Sequence, residues 1–129
     1  MAVLGFTTTS SLIKDQSESM KSKGLESFGV SVIDDQGDKH DAIGSSNAQL
    51  HLFMQLKRGN VTHMLFQSGE QAEIFLGNLV AYYGEEKARK IMEPVQFIAV
   101  GDSRGGLEGW KVAEISESGS LDEAADSLV

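Results

Sequence analysis

The chain contains no cysteine, and this absence excludes several kinds of site at once. Without thiols there is no disulfide framework, no thiolate metal site and no cysteine nucleophile. Small secreted domains are often held together by disulfides. The composition therefore favours a cytoplasmic protein, or a component of a virion that is assembled in the host cytoplasm. No segment approaches the roughly 20 apolar residues of a membrane-spanning helix, and we expect no membrane association.

Basic residues are also scarce. The 129 residues include 11 Lys and Arg against 19 Asp and Glu, which gives a net charge of −8. Nucleic acids are bound chiefly through basic groups that displace counterions, so this balance argues against a general polyanion binder. Much of the negative charge lies in residues 114–129, which contain five carboxylates and no Lys or Arg. Without that segment the net charge would be about −3 by the same count.

One segment has a clear helical pattern, residues 68–92. Its first residues form a capping box, in which the Ser68 hydroxyl accepts from the Gln71 amide and the Gln71 side chain reaches back to the Ser68 amide. Gly84 is expected to divide the helix, and Pro94 cannot continue it. The apolar residues recur at helical spacing: Ala72, Phe75, Leu76, Leu79, Val80 and Tyr83.

Several segments on either side of this helix have strand-like patterns, in which apolar residues alternate or run together. An Asp- and Gly-rich turn at 34–38 separates the first two, and Arg58-Gly59-Asn60 marks the bend of a hairpin over 50–67. The predicted strands are 28–33, 39–43, the two arms of the hairpin over 50–67, then 95–100 and 107–115.

This order predicts an α+β fold, with an antiparallel sheet of about five strands and one main helix before the last strands. An OB-like barrel also fits the order. We expect a polar N-terminal arm over 1–24, a single domain over 25–115 and an acidic C-terminal tail over 116–129. In the expected core, helix residues pack on a face of the hairpin: Phe75, Leu76, Leu79 and Tyr83 against Leu52, Met54 and Leu56.

No combination of residues predicts a catalytic site, a metal site or a cofactor. A zinc site needs three or four converging ligands, and His40, His51 and His63 have no cysteine to join them. The carboxylates of 34–41 do not have the spacing of a calcium loop and are typical of a solvated turn. The glycine-rich loop 101–106 is interpreted as a hairpin turn, with an anion site as the alternative, because a phosphate loop should open a helix.

The sequence therefore predicts a non-enzymatic, acidic protein-binding module, such as a viral or bacterial accessory protein, inhibitor or assembly component. Its partner is another protein or a second copy of the chain. The predicted contact residues are Phe6, Arg104, Trp110 and Lys111. The alternative is an OB-like protein that binds single-stranded nucleic acid and carries an acidic tail, with Trp110 stacking on a base.

Overall fold

The computed structural model describes residues 1–39 and 47–129. The strands within these ranges are β1 (Val3–Thr9), β2 (Glu26–Ile33), β3 (His63–Phe66), β4 (Gln96–Val100) and β5 (Glu114–Ser118). The helices are α1 (Ile13–Ser22), α2 (Asn47–Lys57), α3 (Gly69–Tyr83), α4 (Glu85–Met92), α5 (Arg104–Leu107) and α6 (Leu121–Leu128).

The five strands of the described ranges form one sheet in the order β2-β1-β3-β4-β5, and every pairing in it is parallel. The predicted antiparallel α+β sheet, and with it the OB-like barrel, is therefore wrong, and the fold is α/β. Parallel neighbours must be joined by crossovers that usually contain a helix. This strand order is one of the two common doubly wound arrangements.

Helices cover both faces of the sheet. One face packs against α1 and α6, and its buried residues include Leu4 and Phe6 of β1. The other face packs against α2, α3 and α4 and holds the larger core, which contains Phe53, Phe66 and Phe75. A sheet covered on both faces needs apolar residues on both, and this explains why several strands read as apolar runs.

The segment predicted as an N-terminal arm contains β1 and α1, and β1 lies in the sheet between β2 and β3. Leu4, Phe6, Thr7 and Thr8 are fully buried. The prediction failed because the apolar run Val3–Phe6 is short and the strand continues through Thr7–Thr9, whose polar side chains do not suggest a buried strand. The arm is thus an integral part of the fold.

The predicted hairpin over 50–67 is also wrong. Its first half is the helix α2, and its second half is β3, which pairs with β1 and β4. Leu52, Phe53 and Leu56 face the core, whereas Met54 is 45% exposed. The apolar residues of this segment satisfy a helical spacing as well as an alternating one, and short segments do not distinguish the two.

The helical prediction for 68–92 is confirmed in its main features. Ser68 caps α3 by accepting from the Gln71 amide, and Gly84, with φ of 89°, separates α3 from α4. The Gln71 side chain, however, accepts from the Thr7 hydroxyl. The expected core contacts change accordingly, because the Phe75 ring packs on Phe53 of α2, 5.3 Å away, rather than on a hairpin.

The chain after β4 differs from the prediction in two places. The loop 101–106 includes the start of the one-turn helix α5, and the last strand is β5 rather than 107–115. The predicted tail 116–129 contains the end of β5 and α6, whose Leu121, Ala124 and Ala125 are buried against the sheet. Lys23, which directly follows α1, donates to the Asp126 carboxylate over 2.8 Å, and this hydrogen bond raises the Lys23 pKa.

The turn at 34–38 is confirmed, since the Asp34 carboxylate accepts from the Gln36 and Asp38 amides and Gly37 has φ of 86°. Of the predicted return strand 39–43, Lys39 forms a single bridge to Ile33, and the remainder lies outside the described residues. No helix in the described ranges is long and apolar enough to cross a membrane.

Candidate functional site

The topological switch point of the sheet, at which the connections on either side go to opposite faces, lies between β1 and β3. After β1 the chain enters α1 on one face, and after β3 it enters α3 on the other. The two loops therefore separate at the carboxyl ends of neighbouring strands, which is where doubly wound folds form a crevice. Doubly wound proteins bind their ligands in this crevice, and its residues are therefore the first candidates for a functional site.

On the α3 side, the crevice floor is a buried hydrogen-bond network around Thr7. The Thr7 hydroxyl donates to Oε1 of Gln71 over 2.8 Å. Gln67, the residue that follows β3, donates its side-chain amide to the Thr7 carbonyl over 2.9 Å. Because Thr7 and Gln71 are buried, these bonds fix the amino end of α3 against β1.

On the α1 side, Thr8 has the corresponding role. Its hydroxyl donates to Oε1 of Gln16, which lies in α1. Gln16 and Gln67 exchange two hydrogen bonds, with N-to-O distances of 2.9 and 3.2 Å between their side-chain amides. The paired amides therefore join α1 to the end of β3 across the crevice.

Three hydroxyl residues, Thr9, Ser10 and Ser11, form the rim above this floor. The Ser10 hydroxyl lies 2.9 Å from that of Ser31 at the end of β2, and Ser11 is exposed. The helix α1 then starts after Leu12, which makes no side-chain capping bond among the described residues. The first amides of a helix without such a cap can donate to a ligand's oxygen atoms in place of a side chain.

The amino end of α3 differs, because side chains of the protein already occupy it. Ser68 caps it, and the Asp102 carboxylate accepts from the Gly69 amide over 2.8 Å. The buried Ser103 hydroxyl accepts from the Val100 amide and donates to carbonyls of β3 and β4. These bonds hold the 101–103 turn beside α3, so the loop interpreted as a hairpin turn is a strand-to-helix turn.

The floor and rim of the crevice consist of neutral hydroxyl and amide groups, beside the Asp15 carboxylate in the first turn of α1 and the Asp102 carboxylate at the amino end of α3. The hydroxyl and amide groups both donate and accept hydrogen bonds, and they do not ionise near neutral pH. The positive ends of the α1 and α3 dipoles also point to the carboxyl edge. The arrangement is suited to holding a compact polar molecule.

The four predicted contact residues do not come together at this crevice. Phe6 is fully buried within the sheet. Arg104 lies in α5 and donates to the Ile115 carbonyl. Trp110 is half-buried between the Arg89 guanidinium, 4.8 Å from its ring, and Phe97. Lys111 is exposed beside it.

The histidines in the described residues lie in separate places. His51 of α2 packs on Phe28, with ring centroids 5.5 Å apart. His63 begins β3, at the amino edge of the sheet, where burial lowers its pKa below the ordinary 6.5. His40 and Asp41 lie outside the described residues. Within the part of the chain that the structure describes, no group of three His, Asp or Glu residues could hold a metal ion.

Sequence reasoning missed the crevice residues Thr7, Thr8, Gln16 and Gln67. Isolated glutamines and threonines carry no motif, and Gln16 and Gln67 lie 51 positions apart. One signal was available, because the run Thr7–Ser11 directly follows an apolar segment, as the end of a buried strand would. No protein-family model matches the chain, and none of the curated proteins matches it in sequence.

Proposed function

We propose that this protein is a binding domain that holds a small polar molecule with a carboxylate or phosphate group at its carboxyl-edge crevice. The observation that carries the proposal is the position of the rim residues Thr9, Ser10 and Ser11. They lie where α1 begins without a side-chain cap, at the topological switch point. Doubly wound folds of this order bind ligands at that point.

The role of each part follows from its chemistry. The rim hydroxyls and the first amides of α1 donate to the anionic group, which the helix dipole also favours. The floor formed by Gln16 and Gln67 keeps the rim in place, and its amides offer further polar contacts. Asp102 excludes an anion from α3 by occupying its Gly69 amide. The ligand's charged group is therefore directed to α1.

We retain the expectation that the domain is not an enzyme as part of this proposal. Support comes from the side chains of the crevice floor and rim, which are hydroxyls and amides rather than an acid and a base of matched pKa. The cytoplasmic location likewise remains a prediction from the cysteine-free composition. The nucleic-acid alternative depended on an OB-like barrel, and we do not propose it for a parallel sheet.

The test is an NMR titration of the ¹⁵N-labelled chain with inorganic phosphate, citrate and small phosphorylated metabolites. Amide shifts should concentrate at 9–14 and 67–69. The variant Ser11→Glu adds a carboxylate to the exposed rim and should weaken binding by about tenfold or more, by charge repulsion.

The matched control is Ser22→Glu, which adds the same charge at the exposed carboxyl end of the same helix. It should change the affinity by less than about twofold, because that end is about one helix length, roughly 15 Å, away. Equal weakening by both variants would indicate a general charge effect. Shifts confined to other surfaces would contradict the proposed site.

A further inference from the structure

A groove runs along the outer side of α3, and it exists because the connection between β4 and β5 is short. Crossovers between parallel strands usually contain a full helix that packs beside its neighbours. Here residues 101–113 make the crossover with the single turn α5. The space beside α3 forms an open groove of about 570 Å³, whose lining includes Leu76, Val80 and Trp110.

Glycines leave the walls of this groove bare. Gly77 lies in the middle of α3 and Gly106 lies in α5, and both line the groove. A Cβ added at either would meet no described atom within 4 Å. Glycine inside a helix costs about 1 kcal/mol relative to alanine, and neither packing nor backbone conformation explains Gly77. At Gly29, in contrast, an added Cβ would collide with the Phe6 ring at 2.5 Å.

A bare backbone is useful where another backbone must approach closely. The groove follows α3 from Gly69 and reaches Glu85 at the start of α4, and α3 itself is roughly 22 Å long. This length exceeds that of a compact metabolite and equals about four turns of a second helix. The half-buried Trp110 stands at its edge, held by Arg89 on one side and Phe97 on the other.

The charge of the groove defines the occupant further. Among the described residues that line it, Glu73 and Glu85 carry charge and both are acidic, although Arg89 partly neutralises Glu85 at 3.2 Å. The whole chain has a net charge of −8, so a second copy would bring like charge to the same surface. We propose that the groove binds an amphipathic, basic helix of a partner protein, independently of any ligand in the crevice.

The probe is a designed 16-residue helical peptide, with Leu and Ala on one face and Lys on its flanks. It should shift the amides of Gly69, Gly77 and Gly106 and the Trp110 indole in an NMR titration. A peptide in which Glu replaces every Lys should bind at least about tenfold more weakly, because the groove repels it. Raising the salt concentration should reduce this difference.

Gly77→Trp places a large ring in the groove at a position where an added Cβ meets no described atom within 4 Å, and it should weaken peptide binding by about tenfold or more. Met54→Trp, at an exposed helical position of α2, is the control and should change affinity by less than about twofold. Thermal unfolding of both variants checks the fold, and Gly77→Trp should be no less stable than the parent, since it removes a helical glycine.

Four results would overturn the inference. They are a Kd weaker than roughly 1 mM for the Lys peptide, shifts that map elsewhere, equal binding of the Glu peptide, and unchanged affinity in a folded Gly77→Trp variant. Sedimentation at several protein concentrations tests whether a second copy of the chain occupies the groove instead. A dimer that Gly77→Trp dissociates would show that a second copy, rather than a basic helix, occupies the groove.

Discussion

Gly29→Ala tests the arrangement of β1, β2 and α1 in a single substitution. Gly29 of β2 is the direct neighbour of Phe6 in the parallel register. A Cβ at this position would lie 2.5 Å from Cζ of Phe6 and 2.8 Å from Cδ1 of Ile13. Both distances are far below the 3.5–4.0 Å at which carbon atoms attract one another.

The Phe6 ring has little freedom to avoid this collision. It is fully buried in the cluster that includes Met20, Leu65 and Ile98. Overpacking of a core typically costs 1–3 kcal/mol, and a rigid aromatic ring on one side places Gly29→Ala in the upper half of that range. We expect a loss of about 2–3 kcal/mol in the free energy of unfolding, measured by urea denaturation with an unchanged m-value.

Alanine substitutions at two other glycines are controls, for which we expect a smaller loss of stability and a gain, respectively. Gly5→Ala meets Sδ of Met64 at 2.7 Å, but a methionine side chain adapts easily, so its cost should be smaller. Gly77→Ala meets no described atom within 4 Å and should stabilise the protein by about 0.5–1 kcal/mol, the helix-propensity difference.

A double mutant isolates the contact itself. Phe6→Leu shortens the ring and should cost about 1–3 kcal/mol alone, but clearly less when Gly29 is already alanine, since it relieves the collision. Additive effects, or a loss below about 0.5 kcal/mol for Gly29→Ala, would refute the packing of Phe6 over Gly29.

Three further predictions concern other parts of the fold. Thr7→Val leaves the buried Gln71 oxygen without its 2.8 Å donor and should reduce the urea-unfolding free energy by about 1–3 kcal/mol; a neutral effect would contradict the buried network. The pKa of His63 is lowered by burial, against the smaller opposing effects of a hydrogen bond to Gln96 and of the Glu114 carboxylate. As the pH falls below 6.5, the unfolded chain therefore binds a proton before the folded one does, and the free energy of unfolding declines until the native pKa is reached. His63→Gln should reduce the difference in unfolding free energy between about pH 7 and pH 5. If that difference is unchanged in the variant, His63 is not its source. Deletion of 1–24 removes β1 from the middle of the sheet and should abolish cooperative unfolding by circular dichroism, whereas a folded truncated chain would show that β1 is dispensable.

Local signals in the sequence were sufficient for some elements. The capping residue Ser68 and the break at Gly84 act within one or two turns of the helix, and the structure has both. The strands predicted at 28–33 and 95–100 correspond to β2 and β4. In each case the residues that decide the structure are close together in the chain.

The parallel sheet depended on signals that are not local. Whether two strands run parallel is decided by crossovers and by burial on both faces, which no single segment shows. The segment of α2 was predicted as a strand because Leu52 and Leu56 fit either spacing. The crevice depends on Gln16 and Gln67 meeting in space, and no spacing in the sequence predicts that contact.

The position of β1 in the middle of the sheet means that one of its edges has no partner strand during part of synthesis. β1 can pair with β2 once residue 33 is made, but its other edge waits for β3, which ends at Phe66. Ribosomes add 5–20 residues per second, so roughly 3–11 s pass between the appearance of Thr9 and that of Phe66. During this interval an apolar strand has an open edge, of the kind that promotes pairing with another chain. A burst of translation that crowds nascent chains together would therefore bring these open strand edges close to one another.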